Sequence, residues 1–180
     1  MQKYICLLRG INVGGNRKMK MAELRTHLAD LGLENVKTYI QSGNISFQAK
    51  EKDYRKLESQ ITKMIEKQYG YDVPVMVRQM EELQQIFENC PYLKEEEDLR
   101  MIHVAFLSEA PTEAAFAELN LDQYTPDKAQ LFKRAIFVHY PKGSHGSKLS
   151  GNLLEKKLGL KVTARNWKTV VKLISMLKDD

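Results

Sequence analysis

Two short stretches of this chain combine the residue types that hold anions. The first runs Arg9-Gly10-Ile11-Asn12-Val13-Gly14-Gly15-Asn16 and is joined by Gln41-Ser42-Gly43-Asn44. Gly10, Gly14 and Gly15 supply positive φ and let a ligand approach main-chain N–H groups closely. A helix start downstream adds unpaired amides and the positive end of its dipole. Arg9 offers a planar fork for a carboxylate or phosphate. Residues 1–20 carry Lys3, Arg9, Arg17, Lys18 and Lys20 and no acid. The glycine spacing is neither a P-loop nor a dinucleotide fingerprint. A tight strand-to-helix connection accounts for the glycines equally well, and Ser-Gly is ordinary hairpin material.

The second stretch is Pro141-Lys142-Gly143-Ser144-His145-Gly146-Ser147-Lys148, with Arg165-Asn166-Trp167 further on. Ser147 is expected to cap the helix that follows. Residues 148–178 hold eight Lys and Arg against Glu155 alone, the most basic part of the chain. Ser147 beside Lys148 is not the Ser-x-x-Lys spacing of acyl-transfer enzymes. His145 sits in a Gly-flanked loop and His139 in an alternating strand, where a structural role is expected. Trp167 is expected to pack in the core, its alternative being a stacking platform beside Arg165. No catalytic residue and no cofactor can be named, and enzyme activity stays open.

The elements that position these stretches follow from hydrophobic period and punctuation. Strands are expected over 3–9, 35–40, 45–49 and 73–78, with helices over 19–31, 53–69 and 80–88. The order then repeats. Strands are expected over 101–107, 129–132, 135–140 and 161–164, with helices over 112–119, 149–158 and 167–177. Each half reads β-α-β-β-α-β plus one more helix. The expected class is therefore α+β, a tandem duplication of a ferredoxin-like unit, with subdomains at 1–90 and 91–180. The acidic stretch Glu95-Glu96-Glu97-Asp98 near the division reads as solvated surface. In an antiparallel sheet of order 4-1-3-2, the loop after strand 1 and the turn between strands 2 and 3 emerge at one rim. That puts residues 9–16 beside 41–44. By the same reasoning, residues 141–148 share a rim with Arg165-Asn166-Trp167.

Composition bounds the rest. The chain has 180 residues, a 43% apolar fraction and a net charge of +5, ordinary for a globular protein and mild for a nucleic-acid binder. No apolar run approaches the ~20 residues of a membrane helix, and the N-terminus lacks a secretory signal, so a cytoplasmic location and no membrane partner are expected. Cys6 and Cys90 have no neighbours at metal-ligand spacing, so no metal site is expected.

The segments Tyr4-Ile5-Cys6-Leu7-Leu8-Arg9-Gly10-Ile11-Asn12-Val13-Gly14-Gly15 and Thr38-Tyr39-Ile40-Gln41-Ser42-Gly43-Asn44 resemble a bacterial family catalogued as domain of unknown function 1697. Ser147-Lys148-Leu149, Thr163-Ala164-Arg165-Asn166-Trp167-Lys168-Thr169 and Lys172-Leu173 resemble it as well. The resemblance implies a cytoplasmic α+β protein with a duplicated small unit, and it brings no established reaction. Its hallmark positions fall on Arg9, Gly10, Asn12, Gly14, Gly15, Gln41, Ser42, Gly43, Asn44, Lys148, Arg165, Asn166 and Trp167. The expected function is binding of an anionic, phosphorylated or nucleotide-like ligand at these loops. The alternative is a nucleic-acid-binding module that uses the basic C-terminal segment. A partner-binding role remains a third reading, since the first strand is apolar on both faces and one of them needs a cover; the oligomeric state is not legible.

Overall fold

The computed structural model of the protein describes residues 1–96 and 98–178. Its contacts divide the chain into two units, one of residues 1–84 with the chain end from Lys172 onward, the other of residues 85–171.

In the first unit, β1 (Gln2–Leu8), β2 (Glu34–Tyr39), β3 (Asn44–Ala49) and β4 (Val75–Gln79) form an antiparallel sheet of order β2-β3-β1-β4. Helices α1 (Met21–Asp30) and α2 (Tyr54–Tyr69) supply Leu24, Leu28, Leu57, Ile61 and Ile65 to a core with Tyr4, Cys6 and Leu8 of β1. Helix α2 runs where its apolar period and punctuation predict. The Asp53 carboxylate accepts from Arg55 N at its start, and Gly70 ends it at φ 69°. Each fully buried Leu or Ile on its inner stripe contributes about 1.5–3 kcal/mol of apolar transfer. Helix α1 starts two residues later than its period suggests, because Asn12 holds both the N–H and the C=O of Met19 outside the helix.

The opposite face of this sheet is buried too. Ile5, Leu7, Asn44 and Ser46 have no exposed surface, nor has Arg78 of β4. The Arg78 guanidinium lies 3.1 Å from Glu82 and 4.0 Å from Glu58, and it donates to Val77 O. Such a buried cation is tolerable only with carboxylates this close. Lys3 Nζ donates to Leu177 O at 2.7 Å, which fixes the chain end onto this unit.

The second unit repeats the pattern. Here β5 (Ile102–Leu107), β6 (Lys128–Phe132), β7 (Ala135–His139) and β8 (Val162–Asn166) form an antiparallel sheet of order β6-β7-β5-β8. Helix α3 (Met80–Glu88) precedes β5, and α4 (Glu113–Ala117), α5 (Gly151–Leu158) and α6 (Trp167–Lys178) follow in chain order. The two halves are similar down to single hydrogen bonds. Leu8 N donates to Gly43 O and Arg9 N to Pro74 O; Leu107 N donates to Arg134 O and Ser108 N to Lys161 O. The fold is α+β with two four-stranded antiparallel sheets.

Three local expectations are corrected. The helix expected over 112–119 shrinks to five residues, because Asn120 at φ 50° turns the chain into a 3-10 turn at Leu121–Tyr124. Helix α5 is capped by Ser150, whose hydroxyl accepts from Leu153 N, and not by Ser147. Ser147 donates to Asp127 instead and accepts from Leu149 N. The acidic stretch is an anchor as well as surface. Glu95 lies 3.2 Å from Lys128 and Glu96 2.8 Å from His139, which are paired across β6 and β7. The His139 hydrogen bond holds the Glu96 carboxyl below its usual range. Glu97 lies outside the described residues.

Candidate ligand-binding clefts

The first rim forms as its strand order requires. Asn12, at φ 55°, is the residue that joins its two loops. Its side chain donates to Gln41 O at 2.9 Å and Met19 O at 3.0 Å and accepts from Met19 N at 2.8 Å. Asn12 N donates to Arg17 O, and Asn16 N to Val13 O, so residues 12–17 form a small closed loop with Gly14 and Gly15 at the tip. Both glycines have positive φ and nothing within 4 Å of where a Cβ would stand. The tip therefore has open space where side chains would stand.

The turn beside it is tightly built. Buried Asn44 donates to Ser42 Oγ at 2.9 Å and Tyr39 O at 3.2 Å. Gly43 has no room for a side chain, since a Cβ there would stand 2.5 Å from Leu8 Cβ. Asn12, Gly43 and Asn44 therefore shape the rim through backbone contacts. Ile40, at φ 50°, is 54% exposed, a strained position for a β-branched residue at the same turn. Arg9 is half-buried, and Gly10 lies exposed beside it at φ 67°.

Below this rim opens a cleft of about 700 Å³, lined by Asn12, Gly15, Lys18, Lys20, Gln41 and Tyr69 among others. Arg9, Gly10, Ser42, Gly43 and Asn44 do not line it. Lys20 is 3.0 Å from Glu23, an exposed pair that holds it weakly. Lys18 is exposed and has no partner among the described residues. Tyr69, at the last position of α2, stands edge-on to His27 and stacked on Tyr71. Its hydroxyl is buried and has no hydrogen-bond partner among the described residues. Burial, and then the Glu23 carboxylate, push that hydroxyl's pKa up, so it is a neutral donor. Lys18 and Lys20 stand in the positive run noted in the sequence, whereas Tyr69 carried no signal there. It ends an apolar helical stripe, and only the presence of a phenol where a Leu would serve distinguishes it.

The residues expected at the second rim separate. The loop 141–148 packs against 123–127, and together they line a pocket of about 350 Å³ that includes Lys142, His145, Ser147 and Lys148. Arg165, Asn166 and Trp167 do not line it. The register places Asn166 opposite His103 and His139 opposite Ile102, so both strand ends lie at one end of the sheet but flank β5 from opposite sides. Asn166 Oδ1 accepts from Thr169 N and so caps α6. Trp167 is 1% exposed and stacks on Phe87 at 5.6 Å, which is the packing role expected of it. Arg165 donates to Thr163 Oγ1 and Ala164 O. Asp127 was not foreseen as part of this pocket. Nothing but its place after Thr125-Pro126 sets it apart in the sequence.

Among the described residues, no group of three His, Cys, Asp or Glu gathers as a metal site. No helix of the structure is long and apolar enough to cross a membrane.

Comparison with known proteins agrees with the motifs at the first rim. A family described as protein of unknown function, DUF1697, matches residues 1–137. The chain belongs to this family. A solved structure, the conserved bacterial protein SP0830 from Streptococcus pneumoniae, is similar over 98% of both chains, with 29% identity and a TM-score of 0.78. No curated protein matches. This DUF1697 protein is therefore similar in fold to a solved bacterial protein over nearly its whole length.

Proposed function

We propose that this protein binds a small anionic ligand of nucleotide-like chemistry in the cleft beneath the Asn12–Gln41 rim. The observation that carries the reading is the Tyr69 hydroxyl, a buried donor with no hydrogen-bond partner among the described residues, in a residue that lines a cleft together with Lys18, Lys20 and the Lys20-paired Glu23. A buried polar group left unmade costs about 1–3 kcal/mol, and a ligand acceptor would relieve it. Lys18, with the backbone at Gly15, would take the phosphate, and Arg9 would add to the positive field. Gln41 and Asn12, both in the lining, offer polar edges to the remainder of the ligand.

A thermal-shift titration with adenosine monophosphate tests this. A ligand at about 100 times its dissociation constant stabilises the fold by about 2.7 kcal/mol. The wild type should show such a shift, and Tyr69→Phe and the Lys18→Ala/Lys20→Ala double variant should lose most of it. No shift, or an equal shift in both variants, would overturn the reading.

The nucleic-acid alternative has less support. Single-stranded RNA is bound on the open face of such sheets by aromatic residues. In this chain Asn44 and Ser46 of β3 and Ile5 of β1 are fully buried on that face. A salt-sensitive shift with oligonucleotides alone would favour the basic segment 148–178 instead.

We also read each half as a ferredoxin-like unit, with subdomains at 1–90 and 91–180 in chain order, the chain end from Lys172 onward belonging by its contacts to the first unit. The matching strand orders and the paired hydrogen bonds at the ends of β1 and β5 support that reading. A cytoplasmic location fits the two free cysteines, Cys6 and Cys90.

A further inference from the structure

The pocket in the second unit has a chemistry of its own, and its case does not rest on the cleft described above. Its volume of about 350 Å³ lies at the small end of the range of ~300–1,000 Å³ for ligand sites, which selects a single-ring ligand. On one wall, Lys142 and Lys148 are exposed cations with no carboxylate partner among the described residues, and both line the space. Between them Gly143 and Gly146 adopt φ 85° and 81°, with nothing within 4 Å of a notional Cβ. A ligand can therefore approach the backbone there, and among the described residues the N–H groups of His145 and Gly146 have no protein acceptor. On the other wall stands one carboxylate. Asp127 Oδ2 accepts from Ser147 Oγ at 2.5 Å, and Ser147 Oγ accepts from Leu149 N, which fixes the carboxylate's orientation. Its second oxygen remains to accept hydroxyl groups, the role a carboxylate plays toward a ribose. Cations on one wall and an oriented carboxylate on the other suit a ligand with an anionic end and a polyhydroxyl end.

We propose that this pocket binds a monosaccharide phosphate, with Lys142 and Lys148 taking the phosphate and Asp127 the ring hydroxyls. The two ends of the ligand make the two walls separable by substitution. Isothermal titration of the full chain at low salt, with ribose 5-phosphate, ribose and inorganic phosphate as probes, reads them directly. Ribose 5-phosphate should bind with 1:1 saturation, at least about tenfold more tightly than either ribose or inorganic phosphate. Lys142→Ala/Lys148→Ala, both at exposed positions, should weaken it at least about tenfold. Asp127→Asn should lower its affinity to that of inorganic phosphate. Should Asp127→Asn disturb the loop, the double lysine variant still decides. Lys18→Ala/Lys20→Ala should leave this binding unchanged. Absence of saturation, equal affinity for inorganic phosphate, or full binding by the Lys142/Lys148 variant would each overturn the proposal. Loss of binding in the Lys18/Lys20 variant alone would also overturn it, and would place the ligand in the first unit's cleft.

Discussion

Gly43 and Gly15 show how differently two rim glycines are constrained. Both have positive φ, which costs a residue with a Cβ about 1–2 kcal/mol. At Gly43 the new Cβ would also stand 2.5 Å from Leu8 Cβ and 3.2 Å from Leu8 Cα. Gly43→Ala should therefore destabilise by about 3 kcal/mol, since overpacking adds to the backbone strain. Gly15→Ala should cost about 1 kcal/mol, and denaturant midpoints of the two variants test the contrast. Asn12→Ala removes three hydrogen bonds at once and should cost about 2 kcal/mol, with faster amide exchange at Met19. Tyr69→Phe removes a buried hydroxyl that has no hydrogen-bond partner among the described residues, so its stability should be unchanged or higher by up to about 1 kcal/mol while ligand binding falls. A loss of stability in that variant would mean the hydroxyl has a partner. The rim glycines and amides were legible as residue types. Their division into those that shape the backbone and those that stay open was not, because it depends on which side chain meets Leu8 and Met19.

Elements with their own punctuation were legible. Asp53 and Gly70 bound α2 as the sequence indicates, and Asp53→Ala should cost about 1 kcal/mol in a thermal melt. Helix α5 shows the opposite case. Ser147 and Ser150 are both good caps, and the choice between them is made by Asp127, twenty residues away in the chain, which takes the Ser147 hydroxyl. No local pattern carries that. Strand β5 brings a pH dependence with it. Burial pushes the His103 imidazole below its ordinary value of 6.5, where it stands edge-on to Tyr140. The folded protein thus keeps His103 neutral at a pH where the unfolded chain is protonated. Stability is unaffected well above pH 6.5 and falls as the pH drops from there to the folded value. His103→Gln should show a smaller loss of melting temperature between pH 7.5 and 5.5 than the wild type. Equal losses would show that His103 does not titrate differently on folding. The lowered Glu96 carboxyl acts in a separate window, since its contribution is lost only as pH falls below about 4.5.

At the scale of the whole molecule, one architecture is used twice and holds a different loop chemistry in each use. The strand orders β2-β3-β1-β4 and β6-β7-β5-β8 were legible because each half repeats the same sequence of periods and breaks. Arg78 and Arg165 occupy matching register positions, opposite Ile5 and Val104, yet only Arg78 is fully buried. The halves share little residue identity, so such differences are visible only in three dimensions. The same holds for the second pocket, which draws on residues 123–127 and not on the end of β8. The first-rim motifs, by contrast, lie within the region shared with the DUF1697 family, and their loops meet through Asn12. The claim that this rim serves a ligand is tested most directly by recording amide shifts in a nuclear magnetic resonance titration with adenosine monophosphate. The account predicts saturable shifts at Gly14, Gly15, Lys18 and Gln41, all lost in Lys18→Ala/Lys20→Ala. A saturating titration that leaves these four amides unmoved would contradict it.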